Sequence, residues 1–165
     1  MSDGQVPIHA LVYRIYLHAT PERVWQALVR PEDTASYWGV RLTSDWTVGA
    51  PITWLHAGVT FTDPGSIVRA FEPPRRLSYT WHRNTVDYAR AVGMDEATRQ
   101  RLNAESRSTI TFELEPFADQ VKLTLRQDGF DAGSAKLASL TETWPRLMSE
   151  LKTYLEAERP ATARP

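Results

Sequence analysis

The chain has 165 residues, 42% of them apolar and 24% charged, with a formal net charge of -1 and no cysteine. A chain of this length suits one domain, burying roughly two-thirds of the surface it exposes when unfolded. Near-neutral charge gives no electrostatic drive toward nucleic acid or an anionic membrane, and the lack of cysteine excludes disulfides, thiolate catalysis and cysteine-ligated metals.

Residues 1–7 lack the basic start and apolar core of a signal peptide. No run approaches the ~18 apolar residues of a membrane span, so the expected location is the cytoplasm. Arginine outnumbers lysine among the 19 basic residues, a bias typical of GC-rich bacterial genomes. Residues 8–18 alternate Tyr13, Ile15 and Leu17 with Arg14, Tyr16 and His18, the period of a half-buried strand. Thr20-Pro21-Glu22 then reads as a helix start: a capping hydroxyl, a proline whose missing N–H costs nothing there, and an acid at the positive end. Val24, Trp25, Leu28 and Val29 give that helix its apolar face, Pro31 stops it, and residues 32–37 form a second short helical turn ending near Trp38-Gly39.

Strands follow at hairpin spacing: 40–46, 51–56, 66–71, 76–83, 108–114 and one carrying Val121, Leu123 and Leu125. Gly49 and the Pro73-Pro74 pair mark breaks between them. Residues 84–107 depart from this pattern. They are polar and rich in helix formers, with Asp95 placed to cap residues 96–104, so they read as a helical insertion between two strands and a candidate lid. The longest helical pattern spans 134–157, where Leu137, Leu140, Trp144, Leu147, Met148, Leu151 and Leu155 form one apolar stripe. Pro145 either kinks that helix or marks its start. The expected architecture is one α+β domain over residues 8–158: a curved antiparallel sheet wrapped around a long C-terminal helix with an apolar cavity between them, flanked by a tail at 1–7 and a disordered tail at 159–165.

Three stretches resemble the START-like superfamily, in its branch named after the activator of the Hsp90 ATPase. Ala19-Thr20-Pro21-Glu22-Arg23-Val24-Trp25-Gln26-Ala27-Leu28 is similar to the opening A-P-x-x-V-W-x-A-L of that family. Arg76-Leu77-Ser78-Tyr79-Thr80-Trp81 is similar to its R-L-x-Y-x-W strand. Leu123-Thr124-Leu125-Arg126-Gln127-Asp128-Gly129-Phe130, with Trp144-Pro145-Arg146-Leu147 and residues 151–156, resembles its ending. The resemblance implies the helix-grip fold. It implies function only coarsely, because the superfamily includes carriers of hydrophobic ligands, polyketide cyclases and chaperone-activating domains. Two positions depart from the pattern: Gln127 stands where a histidine is usual, and Thr143 where a glycine is.

No catalytic set stands out. His9, His18, His56 and His82 are scattered without metal-ligand spacing, and no phosphate loop, nucleophile elbow or dinucleotide fingerprint appears. No metal or cofactor is expected. Trp38, Trp54, Tyr79, Trp81 and Trp144 suit a cavity wall as well as a core. Arg69 offers a guanidinium for a carboxylate or a rim salt bridge, and Gln127 an amide that orients a ligand or a backbone group. Strict alternation puts His82 on the face opposite Trp81, hence toward solvent. The leading expectation is a binding module that holds a small apolar or aromatic molecule, using Trp38, Trp54, Arg69, Tyr79, Trp81, Gln127 and Trp144, with no covalent chemistry. A cyclase or dehydratase working through Arg69, Gln127 and Tyr79, and a protein that docks on a chaperone ATPase, are the alternatives. A homodimer is a further possible partner state.

Overall fold

Period-2 alternation governs the sheet. In the computed structural model, which describes residues 9–158, seven antiparallel strands run as β1 (His9–Leu17), β2 (Arg41–Thr43), β3 (Pro51–His56), β4 (Val59–Glu72), β5 (Arg76–Thr80), β6 (Thr109–Phe117) and β7 (Gln120–Phe130). Their order across the sheet is β1-β7-β6-β5-β4-β3-β2, so successive hairpins build most of it and β1 returns beside β7. Leu11 and Leu17 of β1, Ile110, Phe112 and Leu114 of β6, and Val121, Leu123 and Leu125 of β7 point inward and are buried. Val12, Arg14 and Tyr16 face solvent between them.

β4 begins seven residues before its expected start at residue 66 because polar Thr60, Thr62 and Asp63 mask its first half. The β3–β4 hairpin closes on Ala57 and Gly58, both with positive φ (51° and 77°), the requirement of a two-residue turn that matches strand twist. β2 is shorter than the 40–46 span expected, and β5 ends at Thr80, before Trp81.

Thr20 caps α1 (Pro21–Val29), its Oγ1 accepting from Arg23 N at 3.1 Å. Pro31 occupies the first turn of α2 (Pro31–Trp38), which ends at left-handed Gly39. The insertion forms two helices, α3 (Val86–Ala91) capped by Thr85 and α4 (Glu96–Ala104) capped by Asp95. Ser134 caps the long C-terminal helix α5 (Ala135–Glu156), and Pro145 lies inside it, so the proline is not the helix start. A proline in a helix interior costs about 3 kcal/mol. Trp144, Leu147, Met148, Leu151 and Leu155 are buried along the helix, and at roughly 1.5–3 kcal/mol each they outweigh that cost.

Carboxylates fasten both ends of this arrangement. Asp63 accepts from Gly65 N (3.0 Å) and Arg83 N (2.7 Å) and pairs with Arg107 (2.6 Å), whose Nη1 also donates to the Trp81 carbonyl at 2.7 Å. Glu105 accepts from Ser134 Oγ and Ala135 N, and Asp131 from Ser106 N. The two roots of the insertion are thereby tied to β4 and to the start of α5. At the far end buried Asp33 takes a two-pronged bond from Arg23 (2.9 Å each) and a third from the Tyr154 hydroxyl. The Arg23 guanidinium holds the Asp33 carboxyl below its usual range. The expected tails at 1–7 and 159–165 lie outside the described residues.

Asp33→Asn replaces the charged acceptor of the two Arg23 prongs with a neutral amide and leaves Glu158 as the guanidinium's remaining close anion. Urea denaturation at pH 7 is expected to show a loss of about 2 kcal/mol, the range of bonds to charged groups. An unchanged midpoint would contradict the role given to this pair.

Candidate functional site

Five of the seven sequence candidates meet in one aromatic cluster. Trp38 closes α2, Trp54 lies on β3, Tyr79 on β5, Trp81 just past β5, and Trp144 on α5. Trp38 lies 5.9 Å from Trp54, 6.0 Å from Trp81 and 5.6 Å from Trp144, centroid to centroid. Trp54 and Trp81 are 5.2 Å apart, and Tyr79 is 6.2 Å from Trp54. Such offset and edge-on contacts are the favoured geometry of aromatic packing. Trp54, Tyr79 and Trp144 are each about 1% exposed, so these rings fill the space between sheet and helix at this level.

Gln127 lies behind them, fully buried. Its Oε1 accepts from Trp144 Nε1 and its Nε2 donates to Ser108 Oγ, both at 2.9 Å. Trp54 Nε1 donates to Ser66 Oγ, which donates on to the Thr80 carbonyl. Arg69 is not brought to the cluster. It is exposed where the β4–β5 pairing shifts register between Val68 and Ala70.

His82 departs from expectation. Strand alternation ends at Thr80, so Trp81 and His82 do not take opposite faces, and His82 is 7% exposed. Its ring packs on Trp54 (4.5 Å), Phe61 (4.9 Å) and Trp81 (5.6 Å). Its Nδ1 lies 2.9 Å from the Arg83 carbonyl. A carbonyl only accepts, so Nδ1 carries the proton and Nε2 keeps a lone pair. Burial pushes the imidazole pKa down to about 4.

Beside this cluster, under the insertion, opens a recess of about 200 Å³. Trp81, His82 and Asn84 form one wall. Tyr88, Met94 and Leu102 of the insertion form the second, and Lys136, Ser139 and Leu140 of α5 the third. Tyr88 is held by a 3.0 Å hydrogen bond between its hydroxyl and His56 Nδ1. Lys136 is half-buried, and burial draws its pKa down against the opposing pull of Glu105. Among the described residues its ammonium has no hydrogen-bond or ion-pair partner. Four of the recess residues come from the 84–107 insertion, the segment whose composition marked it as a candidate lid. Lys136 carried no signal in the sequence, since its position just ahead of the apolar stripe is that of any surface lysine.

A larger groove of about 430 Å³ lies at the other end, along His18, Thr20, Pro116, Asp119 and Gln120. Its His18 bonds Gln120 through Nε2 and keeps a free Nδ1 3.7 Å from Asp119, but it has no aromatic wall. The recess therefore has the better claim, since ligand sites combine apolar walls with a few free polar groups. Among the described residues no group of three or more His, Cys, Asp or Glu is placed to hold a metal ion. No described helix is long and apolar enough to cross a membrane.

The model of the family described as "Activator of Hsp90 ATPase homolog 1-like protein" matches residues 18–156. No curated protein matches the sequence. Among solved structures, protein MLL2253 from Mesorhizobium loti is similar over 92% of this chain and 100% of its own, at 23% identity and a TM-score of 0.71. The Aha1 dimer from Colwellia psychrerythraea is similar over 92% of this chain and 99% of its own, at 19% identity and a TM-score of 0.67. DynU16, a putative protein in the dynemicin biosynthetic locus, is similar over 93% of this chain but 49% of its own, at 21% identity and a TM-score of 0.68. At these identities the likeness carries the helix-grip fold alone.

His82 gives the fold a pH signature. Its folded pKa of about 4 lies below the usual 6.5, so between those values the unfolded chain binds more protons and stability rises with pH. The contribution is complete above pH 6.5 and is lost as pH falls toward 4, by about 2 kcal/mol at pH 5. Burial lowers the pKa of His56 too, with the same sign. Urea denaturation is expected to give a lower midpoint at pH 5 than at pH 7.5, with a smaller difference in His82→Phe. Equal midpoints in the native chain would contradict the buried, neutral imidazole.

Proposed function

The chain belongs to the activator of Hsp90 ATPase homolog 1-like family, and from that footing we propose that it binds a small apolar or aromatic molecule, without covalent chemistry, in the recess beneath its helical insertion. The observation that supports this most is the make-up of the walls. Trp81, Tyr88, Met94, Leu102 and Leu140 supply apolar surface, while the Lys136 ammonium and His82 Nε2 have no partner among the described residues. Convergent free polar groups on an apolar surface fix a ligand's orientation. The volume of about 200 Å³ is below the ~300–1,000 Å³ of sites for drug-sized ligands, which favours a single ring or a short chain. Carriage is favoured over turnover because the groups a cyclase would use do not converge: Arg69 is exposed, and both ends of the Gln127 amide are engaged.

A second reading, docking to a chaperone ATPase as the family's name suggests, has one observation in its favour. Tyr16 and Phe117 are exposed and pack edge to face at 5.1 Å on the outer side of the sheet, with Val12 on the same face of β1. Three side chains are a small patch against the ~800 Å² per partner of a stable interface, so this reading ranks second.

A fragment screen of single-ring aromatics followed by amide and indole NMR shifts tests the first reading. Hits are expected to move Trp81, Tyr88 and Ser139, and Ser139→Trp, which places a ring in the recess mouth from an exposed helix position, is expected to weaken them at least tenfold with an unchanged melting temperature. Hits that ignore this variant, or that move only Tyr16 and Phe117, would refute it.

A further inference from the structure

The proposed binding reading leaves open what kind of molecule the recess selects, and the charges around it narrow the choice. Lys136 is the cation in the wall. The charged groups acting on it are Glu105, Arg83, Arg107, Asp63 and Asp131. Asp63 and Arg107 neutralise each other in their ion pair. Glu105 spends its oxygens on Ser134 Oγ and Ala135 N at the start of α5, so its charge is offset by the helix N-terminus rather than by the ammonium. Asp131 spends its oxygens on Ser106 N and Oγ. The three cations thus face three anions, each of them already engaged, and the Lys136 ammonium is left without a bonded counter-charge among the described residues. No other described group takes the Lys136 ammonium as a partner, and a half-buried cation against apolar walls is screened less than one in water.

The remaining polar atoms agree with a singly charged guest. His82 is neutral, with its Nδ1–H committed to the Arg83 carbonyl, and offers only an acceptor at Nε2. Asn84 also lines the recess, and its backbone N–H and C=O are both bonded to the Asn103 side chain. No arginine fork lines the recess, and a dianionic phosphate would want one.

We infer that the recess selects a small amphipathic monocarboxylic acid, its carboxylate on Lys136, its ring or short chain against Trp81, Tyr88 and Leu140, and any hydroxyl or N–H it carries donating to His82 Nε2. This rests on the ligand-binding reading above and adds the sign and number of the ligand's charge.

Sodium cinnamate and the uncharged cinnamamide, nearly identical in shape, separate the two claims. Each is titrated into the full chain at pH 7 and low salt while the shifts of Trp81, Tyr88 and Ser139 are followed. Cinnamate is expected to bind at least tenfold more tightly than the amide. Lys136→Met is expected to bring cinnamate down to the amide's level, and Lys136→Arg to keep most of the preference. The Lys136 side chain makes no hydrogen bond or ion pair among the described residues, so a thermal melt should find the variants folded. Equal binding of acid and amide at the recess, or a Lys136→Met variant that still prefers the acid, would overturn the charge assignment and leave apolar binding standing. Absence of shifts from both probes at millimolar concentration would overturn both.

Discussion

One buried amide fixes the interior. Gln127 extends from β7 into an apolar space, accepts the Trp144 indole N–H from α5 and donates to the Ser108 hydroxyl ahead of β6. Each buried polar group left unpaired would cost about 1–3 kcal/mol, so the three side chains position one another tightly. Trp144 is thereby held at one place and angle, and Trp38, Trp81 and Phe112 pack around it. The rings occupy the space that a sheet curled around a helix could otherwise leave open. Opening is left to the end of the cluster, where Trp81 meets the insertion.

The insertion keeps its place through carboxylates at its roots and through Tyr88 and Ala89 of α3, the first packed against the core and the second buried. The carboxylates are Asp63 at one root, and Glu105 and Asp131 at the other. α4, held by polar bonds at its root and burying no residue of its own, is the part of the insertion with the least apolar burial, the property of low-stability segments. None of the bonds that hold the roots involves the Lys136 ammonium or the second nitrogen of His82, and both remain available to a guest among the described residues.

Much of this was legible in the sequence. Strand alternation in β1, β6 and β7, the Thr20 and Asp95 caps, and the stripe on α5 are local signals, and the family resemblance placed them in one helix-grip order. The misses lie where local periodicity carries no information: past the end of a pleat, at a register shift, and wherever a side chain's partners are distant in the chain. Alternation extended two residues past the end of β5 sends His82 to solvent. Arg69 sits at a register shift that no local pattern announces. The start of β4 hid behind threonines and a Pro-Gly pair. The role of Gln127 depended on partners 17 and 19 residues away, and Lys136 became distinctive only when the insertion folded over it. Among the candidates, the aromatic residues were found by type, but whether each makes core or wall depends on depth, which a sequence does not record.

The central claim is that small molecules are received under the insertion, not between sheet and helix beside Gln127. Xenon enters apolar cavities without needing polar partners, so a crystal pressurised with xenon tests that claim most directly. The account predicts xenon against Trp81, Tyr88 and Leu140, and none among Trp144, Phe112 and Leu125. Strong xenon density beside Trp144 and Gln127, with an empty recess, would contradict it.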